Sequence, residues 1–155
     1  MAVVRPIAPI LLLALVASAC APSISALYRD YAYEDEPEPT APAEYAALRE
    51  ALVVAGWTVI PGPSDNVLAT EPRTFRRWGI YRTEVELEVA PVAGPYVRVL
   101  VHPYRHFFTG GRSKIPYLRG GLAHDVLGPL TAALDEAGLA YYGTAQQRDR
   151  AAGAR

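Results

Sequence analysis

The middle of the chain carries a basic stretch in which aromatic rings and glycines lie between the charged side chains. Between Glu88 and Asp125 there is no acidic residue. The basic residues of this interval are Arg98, Arg105, Arg112, Lys114 and Arg119, and the rings among them are Tyr104, Phe107, Phe108 and Tyr117. Arginine forms paired hydrogen bonds with carboxylates and phosphates, and rings provide stacking surface. The pattern predicts a loop that binds an anionic group through five side chains, which are Arg105, Arg112, Lys114, Tyr117 and Arg119.

Three kinds of ligand fit this chemistry: an anionic glycan, a lipid head group and an acidic protein partner. A second basic stretch is expected at the same end of the sheet and contains Arg73, Phe75, Arg76, Arg77 and Trp78. The alternative is a long hairpin whose phenylalanines pack in the core and whose charges only keep it soluble. The whole chain has a formal net charge of -1, so its overall field does not favour nucleic acid.

The three histidines do not have the spacing of a metal site. His102 and His106 are four residues apart, but Pro103 between them disfavours a helix. In a strand, four residues span about 13 Å, which is too far for two side chains to hold one ion. Cys20 is the only cysteine of the chain, so a multi-cysteine site is also excluded. We predict neither a metal nor another cofactor.

The sequence offers few catalytic groups. The glutamates of residues 84–88 alternate along one strand, which is the ordinary pattern of a solvated face rather than of catalytic carboxylates. No Gly-x-Ser-x-Gly motif for a serine nucleophile is present. The prediction is therefore a non-catalytic protein, and the alternative is a small periplasmic hydrolase with a His/Asp/Tyr site, such as one that contains His106, His124 and Asp125.

The amino terminus has the layout of a secretory signal peptide over residues 1–19. A positively charged start is followed by the apolar residues 7–16 and by the small residues 17–19. A helix needs about 20 apolar residues to cross the hydrocarbon core of a bilayer, so a permanent transmembrane helix is not predicted. Ordinary cleavage after Ala19 would release a soluble exported protein, and this route stays open.

The residues Ala17-Ser18-Ala19-Cys20 resemble the lipobox of bacterial lipoproteins, although that family prefers Leu where this chain has Ala17. The resemblance implies that Cys20 receives a diacylglyceryl group and becomes the mature amino terminus. Lipoproteins held at the inner membrane often have Asp after the cysteine, whereas this chain has Ala21. The implied location is the outer membrane, facing the periplasm, where an exported protein rarely meets nucleic acid.

One domain is predicted between two segments without a core. Residues 20–42 are predicted to be a lipid-anchored linker, because residues 21–42 contain five acids and four prolines without apolar periodicity. Three tyrosines at a spacing near two, Tyr28, Tyr31 and Tyr33, leave open that this segment pairs with a sheet edge. Residues 148–155 are predicted to be a disordered tail. The domain then covers residues 43–147.

Apolar periodicity predicts a helix, four strands and a second helix along this domain. The predicted helices cover residues 40–57 and 118–139, and the predicted strands cover residues 57–62, 66–72, 79–89 and 96–105. The last two strands alternate and are expected to form an antiparallel hairpin, in which Arg98 pairs with a glutamate of the preceding strand. The predicted fold class is α+β, a two-layer sandwich with a four-stranded, mainly antiparallel sheet covered by two helices.

The helix ending "ALVVAGW" and the strand "VLATEP", behind a lipobox-like cysteine and an acidic linker, resemble small outer-membrane lipoproteins. Over residues 43–140 the pattern is similar to the helix-grip domain of the lipoprotein C subunit of the outer-membrane β-barrel assembly machinery. This resemblance implies a non-catalytic binding or scaffold module for an envelope protein or an anionic polymer. A purely structural envelope protein is a further possibility.

Overall fold

The structure of the protein is a computed structural model that describes residues 24–34, 42–92, 95–144 and 147. Its strands are β1 (Ile24–Ser25), β2 (Tyr28–Tyr33), β3 (Val59–Pro61), β4 (Leu68–Thr70), β5 (Arg73–Trp78), β6 (Tyr81–Val92), β7 (Tyr96–Phe107), β8 (Arg112–Lys114), β9 (Leu118–Arg119) and β10 (Leu139–Gly143). Its helices are α1 (Pro42–Val54) and α2 (Gly120–Glu136). The predicted signal peptide, Cys20 and the tail of residues 148–155 lie outside the described residues.

The longest strands are β6 and β7, and the predicted antiparallel hairpin between them is confirmed. The register pairs Tyr81 with Phe107 at one end and Val92 with Tyr96 at the other. One face of the hairpin is apolar and buried, and consists of Val85, Leu87, Val89, Val97, Val99 and Val101. The other face alternates with it and carries the charged side chains, as in an antiparallel sheet with one face on the core.

Four shorter strands pair with the outer edges of this hairpin, two along each long strand. β4 and β5 pair with different halves of β6, and β2 and β8 pair with different halves of β7. β3 and β10 pair with β4 and β2, which completes an eight-stranded sheet. β1 and β9 form a separate two-stranded sheet.

The predicted two-layer sandwich with a four-stranded sheet is therefore wrong. Apolar alternation identifies β3, β4, β6 and β7 and misses the other strands, which are short and mostly polar or aromatic. β5, for example, is exposed along most of its length. Such segments become strands because the outer edges of the long hairpin present backbone N–H and C=O groups that need partners.

Residues 28–33, which we expected in the acidic linker, form strand β2 between β7 and β10. The expected pairing of Arg98 with a glutamate of the preceding strand is also wrong, because the register places Ala90 of β6 opposite Arg98. Asp30 of β2 lies opposite Arg98 on the other side. Arg98 Nε and Nη2 donate to the two carboxylate oxygens of Asp30 at 2.7 and 3.0 Å. These hydrogen bonds raise the pKa of Arg98.

Both helices contribute to a single core with the apolar face of the sheet. Leu48 and Leu52 of α1 are buried with the hairpin valines, as are Leu130 and Leu134 of α2. α1 is followed by Gly56, whose φ of 83° is the left-handed conformation that commonly ends a helix. The opposite, charged face of the sheet is covered by no helix of the described residues. We call it the open face.

Tyr31 connects β2 to the helical side of the molecule. Its ring is fully buried, and its hydroxyl group lies 2.9 Å from Oγ1 of Thr131 in α2, within hydrogen-bond distance. Burial raises the pKa of Tyr31 above the ordinary value of 10.0. Because the folded protein holds this phenol neutral, its contribution to stability is present below the unfolded pKa and is lost as the pH rises through the folded pKa.

We expect Tyr31→Phe to lower the free energy of unfolding at neutral pH by about 1 kcal/mol, because one hydrogen bond is lost. The difference in the free energy of unfolding between this variant and the wild type should shrink at about pH 11. At this pH the phenol of residue 31 ionises in the unfolded wild type but is held neutral in the folded state, which lowers the stability of the wild type only. Chemical denaturation at both pH values measures the two differences. Tyr104→Phe, which removes a hydroxyl group from the open face, is the control and should change neither value. A difference that is constant with pH would contradict the assignment.

Candidate anion-binding site

A pocket of about 180 Å³ lies on the helix-covered side of the sheet, where β6 and α2 begin. Its polar wall contains three arginines, Arg76, Arg105 and Arg119. Its aromatic wall contains Trp78, Tyr81 and Tyr117. The pocket therefore combines bidentate cationic donors with ring surfaces, the two features that the sequence predicts for anion binding.

Each arginine reaches the pocket from a different strand. Arg105 lies on β7 opposite Thr83, which also lines the pocket. Arg76 lies on β5, where the register shifts between Thr74 and Arg76, so that Phe75 is an extra residue and Arg76 is also opposite Thr83. Regular pairing would have placed Arg76 opposite Arg82, on the open face. The bulge therefore turns Arg76 into the pocket, an effect that bulges commonly have near functional sites.

Arg119 ends β9 and is the residue from which α2 starts. It takes the N-cap position of α2 without a capping side-chain hydrogen bond, and the first turn has no acidic residue. The partial positive charge of the helix terminus is thus not neutralised by its own side chains. The second residue of the helix is Gly121, where a Cβ atom would lie 2.9 Å from Nη2 of Arg76. Glycine therefore allows the guanidinium group of Arg76 to lie against the start of α2.

The three guanidinium groups differ in their partners. Arg76 Nη2 donates to Asp125 Oδ2 at 3.1 Å, and both side chains are almost half exposed. Such exposed pairs contribute little, in general about 0–1 kcal/mol. Arg105 lies 5.7 Å from the centre of the Tyr81 ring. Among the described residues, neither Arg105 nor Arg119 has an ion pair with a carboxylate.

The pKa of Tyr117 is lowered by a hydrogen bond from Arg119 and by the positive charge of this pocket. Arg119 Nη2 donates to the hydroxyl oxygen of Tyr117 at 3.4 Å. This hydrogen bond and the charge of Arg119 lower the pKa of Tyr117, and the charge of Arg105 adds to the shift. An environment that stabilises a phenolate also stabilises a carboxylate or a phosphate at the same place.

The structure brings three of the five predicted binding residues together and separates the other two. Arg105, Tyr117 and Arg119 line the pocket. Arg112 and Lys114 lie on β8 opposite His106 and Tyr104, and these two residues point to the open face. Arg112 Nη2 donates to Glu86 Oε1 at 2.6 Å, and its guanidinium carbon lies 3.5 Å from the centre of the Tyr104 ring.

Arg76, Trp78 and Tyr81 also line the pocket and are not among the five binding residues predicted from the sequence. Two of them lie in the second basic stretch, which the structure places beside the first: β5 and β8 flank the same end of the hairpin. The signal in the sequence was the basic and aromatic composition of residues 73–78. The bulge that orients Arg76 has no signal in the sequence.

The residues of the alternative hydrolase site lie on different sides of the sheet. His106 Nε2 is 3.0 Å from Glu84 Oε2 on the open face, whereas Asp125 lies on α2 and pairs with Arg76 beside the pocket. His124 also belongs to α2. His102 Nε2 lies 3.2 Å from Glu88 Oε2. Within the described ranges, no three His, Cys, Asp or Glu side chains are arranged to hold a metal ion.

Comparison with other proteins gives no family for this chain. No protein-family model matches it, and no curated protein sequence matches it either. No helix in the described part of the chain is long and apolar enough to cross a membrane. Fold and site together describe a predominantly antiparallel β domain with two helices and an arginine-rich, aromatic pocket at one end.

We expect Arg119→Gln to raise the pKa of Tyr117 toward its ordinary value of 10.0, because the hydrogen bond from a charged donor is lost. NMR titration of the protein labelled with ¹³C at the tyrosine ring carbon that bears the hydroxyl group follows this residue. Lys114→Gln removes the same charge from the open face and should leave the titration of Tyr117 unchanged. An unchanged midpoint in Arg119→Gln would show that Arg119 does not set the charge of the pocket.

Proposed function

We propose that the protein is a lipid-anchored module of the bacterial cell envelope that binds an acidic envelope polymer or protein without catalysing a reaction. The observation that carries the proposal is the pocket in which Arg105 and Arg119 face three aromatic rings without a carboxylate partner among the described residues. Charge that a protein does not neutralise internally is available to a ligand. A carboxylate or a phosphate is the complementary group.

The energetics of the pocket favour an incoming anion over the existing contacts. A hydrogen bond to a charged group contributes about 1.5–3 kcal/mol when it is well formed. Two arginines without an ion pair therefore provide about 3–6 kcal/mol together, which corresponds to a Kd in the millimolar to upper micromolar range. The weak, exposed pair of Arg76 with Asp125 lets Arg76 turn to the ligand at little cost.

Attachment to the envelope is the second part of the proposal and rests on the lipobox-like residues 17–20. A diacylglyceryl group on Cys20 would tether the domain to a membrane, and Ala21 favours the outer membrane with the domain in the periplasm. The lipid also removes the thiol of the only cysteine of the chain, which would otherwise be open to oxidation outside the cytoplasm. The protein needs no cofactor for this role.

We expect acidic polymers to bind in the pocket with an affinity that depends on two of its arginines. We expect Arg105→Gln and Arg119→Gln each to weaken binding of fluorescent polyglutamate or polyphosphate by about tenfold, since each removes one charge-assisted contact. Fluorescence anisotropy at constant salt measures the affinities. Lys114→Gln is the matched control, because it removes one exposed positive charge from the open face. If Lys114→Gln weakens binding as much, the binding is non-specific and the pocket is not the site.

The anchor predicts incorporation of a palmitate analogue during growth. We expect the wild type to carry the label and to sediment with membranes, because the modified Cys20 holds acyl chains. Cys20→Ala should lose the label, and its distribution after carbonate extraction should shift to the supernatant. An unlabelled wild type would contradict the anchor and would favour cleavage as an ordinary exported protein.

A further inference from the structure

Three large apolar side chains are exposed at the end of the sheet beside the pocket. Trp78, Ile80 and Phe108 are 60%, 60% and 78% exposed. The backbone N–H of Phe108 donates to the carbonyl oxygen of Ile80 at 3.3 Å, so the turn after β5 and the turn after β7 lie side by side. We call these three residues the apolar tip. A contiguous exposed apolar cluster of this kind is a common mark of an interaction surface.

The charge around the apolar tip is positive. The two segments that carry the tip, residues 73–82 and 103–119, contain eight of the fifteen Lys and Arg residues of the chain and none of its sixteen acids. Three acids on other segments pair with basic residues of these two segments: Asp125 with Arg76, Glu84 with Arg82 and Glu86 with Arg112. The five remaining basic groups have no ion pair among the described residues, and they are Arg73, Arg77, Arg105, Lys114 and Arg119.

The first described residue lies at the same end of the molecule. Ile24 of β1 pairs with Arg119 of β9, and Arg119 lines the pocket whose wall includes Trp78. Cys20 precedes Ile24 by four residues, which span at most about 14 Å. The position of Ile24 indicates which end of the domain faces the membrane only if Cys20 is held in that membrane. This third observation therefore rests on the lipid anchor proposed above. The apolar tip and its charge belong to the domain itself and do not depend on it.

We propose that the apolar tip docks into the surface of an anionic bilayer, with the basic residues that lie around it outside the pocket in contact with the lipid phosphates. Trp and other aromatic side chains are enriched at the interface between water and lipid. Basic residues next to an apolar insertion are attracted to anionic lipids. An acidic protein surface would match the charge as well, but an anionic bilayer places an apolar interior directly beneath its phosphates, where three apolar side chains on two adjacent turns can insert. A bilayer matches both.

Docking in this orientation would place the lipid anchor and the pocket at the same membrane surface. The lipid on Cys20 and the apolar tip would enter the same leaflet, because Cys20 is only four residues from Ile24 at this end of the molecule. The pocket, which shares Trp78 with the tip, would then open next to the lipid head groups. Its acidic ligand would be bound at the membrane surface and not at the far end of a long tether.

The two tryptophans of the chain provide a direct test. Trp57 is buried in the core and is 3% exposed, whereas Trp78 is in the apolar tip. The full chain, purified from membranes, is reconstituted into vesicles of equal parts phosphatidylglycerol and phosphatidylcholine, with and without bromine atoms on the acyl chains. Docking predicts that brominated lipids quench part of the wild-type fluorescence. Trp78→Phe, which leaves only the buried Trp57, should not be quenched.

Two variants separate docking from the pocket and from unspecific effects. Ile80→Ser together with Phe108→Ser removes two tip residues that do not line the pocket, and should abolish the quenching of Trp78 while polyglutamate binding is retained. Val54→Ser is the control, because Val54 is 66% exposed on α1, near the opposite end of α2. It should leave the quenching unchanged. Vesicles of phosphatidylcholine alone should quench less than the anionic vesicles.

The quenching and labelling experiments test membrane docking and the lipid anchor separately. Wild-type fluorescence that is no more sensitive to brominated lipid than that of Trp78→Phe would overturn docking, even if the palmitate label confirms the anchor. A missing label with quenching intact would overturn the anchor and leave docking standing. If the tip variant keeps its quenching, or if the wild type forms dimers that the tip variant does not form, the occupant of the tip is not the bilayer and docking is wrong.

Discussion

The fold depends on one constraint, the pairing of β6 with β7 over twelve residues. Each of these strands has an outer edge whose backbone groups need hydrogen-bond partners where they are buried. No other strand of the described residues is more than six residues long, so each edge is completed by two short strands that pair with different halves. The consequence is a sheet whose ends differ. At one end β5 and β8 flank the hairpin, and the turns that precede β6 and follow β7 lie side by side there.

The hairpin itself could be predicted because its sequence alternates between Val or Leu and charged residues, and burial of one face excludes a register shifted by one residue. The short strands could not be predicted in the same way. β2 has Asp30 and Tyr31 buried on opposite faces, and each is stabilised by a residue far away in the chain, Arg98 and Thr131. Its acidic and aromatic composition indicated a linker, because the partners that make burial of these groups favourable are visible only in three dimensions. The same holds for Arg98, whose acceptor depends on which strand occupies the outer edge of β7.

The candidate site was partly predictable for a related reason. Composition identifies a basic and aromatic region, but a strand turns successive side chains to opposite faces. Arg105 and His106 are neighbours in sequence, and one lines the pocket while the other contacts Glu84 on the open face. Arg112 and Lys114 lie opposite His106 and Tyr104 in the ladder, so they face away from the pocket. The segment expected to be part of a binding loop is strand β8. Arg76 joins the site through a single extra residue, Phe75.

The two faces of the sheet differ in how their charges are used, and this difference argues for the location of binding. On the open face, the acids of β6 are paired with basic residues: Glu84 contacts Arg82 and His106, and Glu86 pairs with Arg112. A ligand that binds there must first replace these contacts, so its net gain is small. At the end of the sheet, Arg105 and Arg119 have ring and hydroxyl partners in place of carboxylates. An anion that binds there adds interactions and displaces only water or the exposed Asp125. For the acidic partner that we propose, the end of the hairpin is therefore a more favourable binding site than the broad charged face.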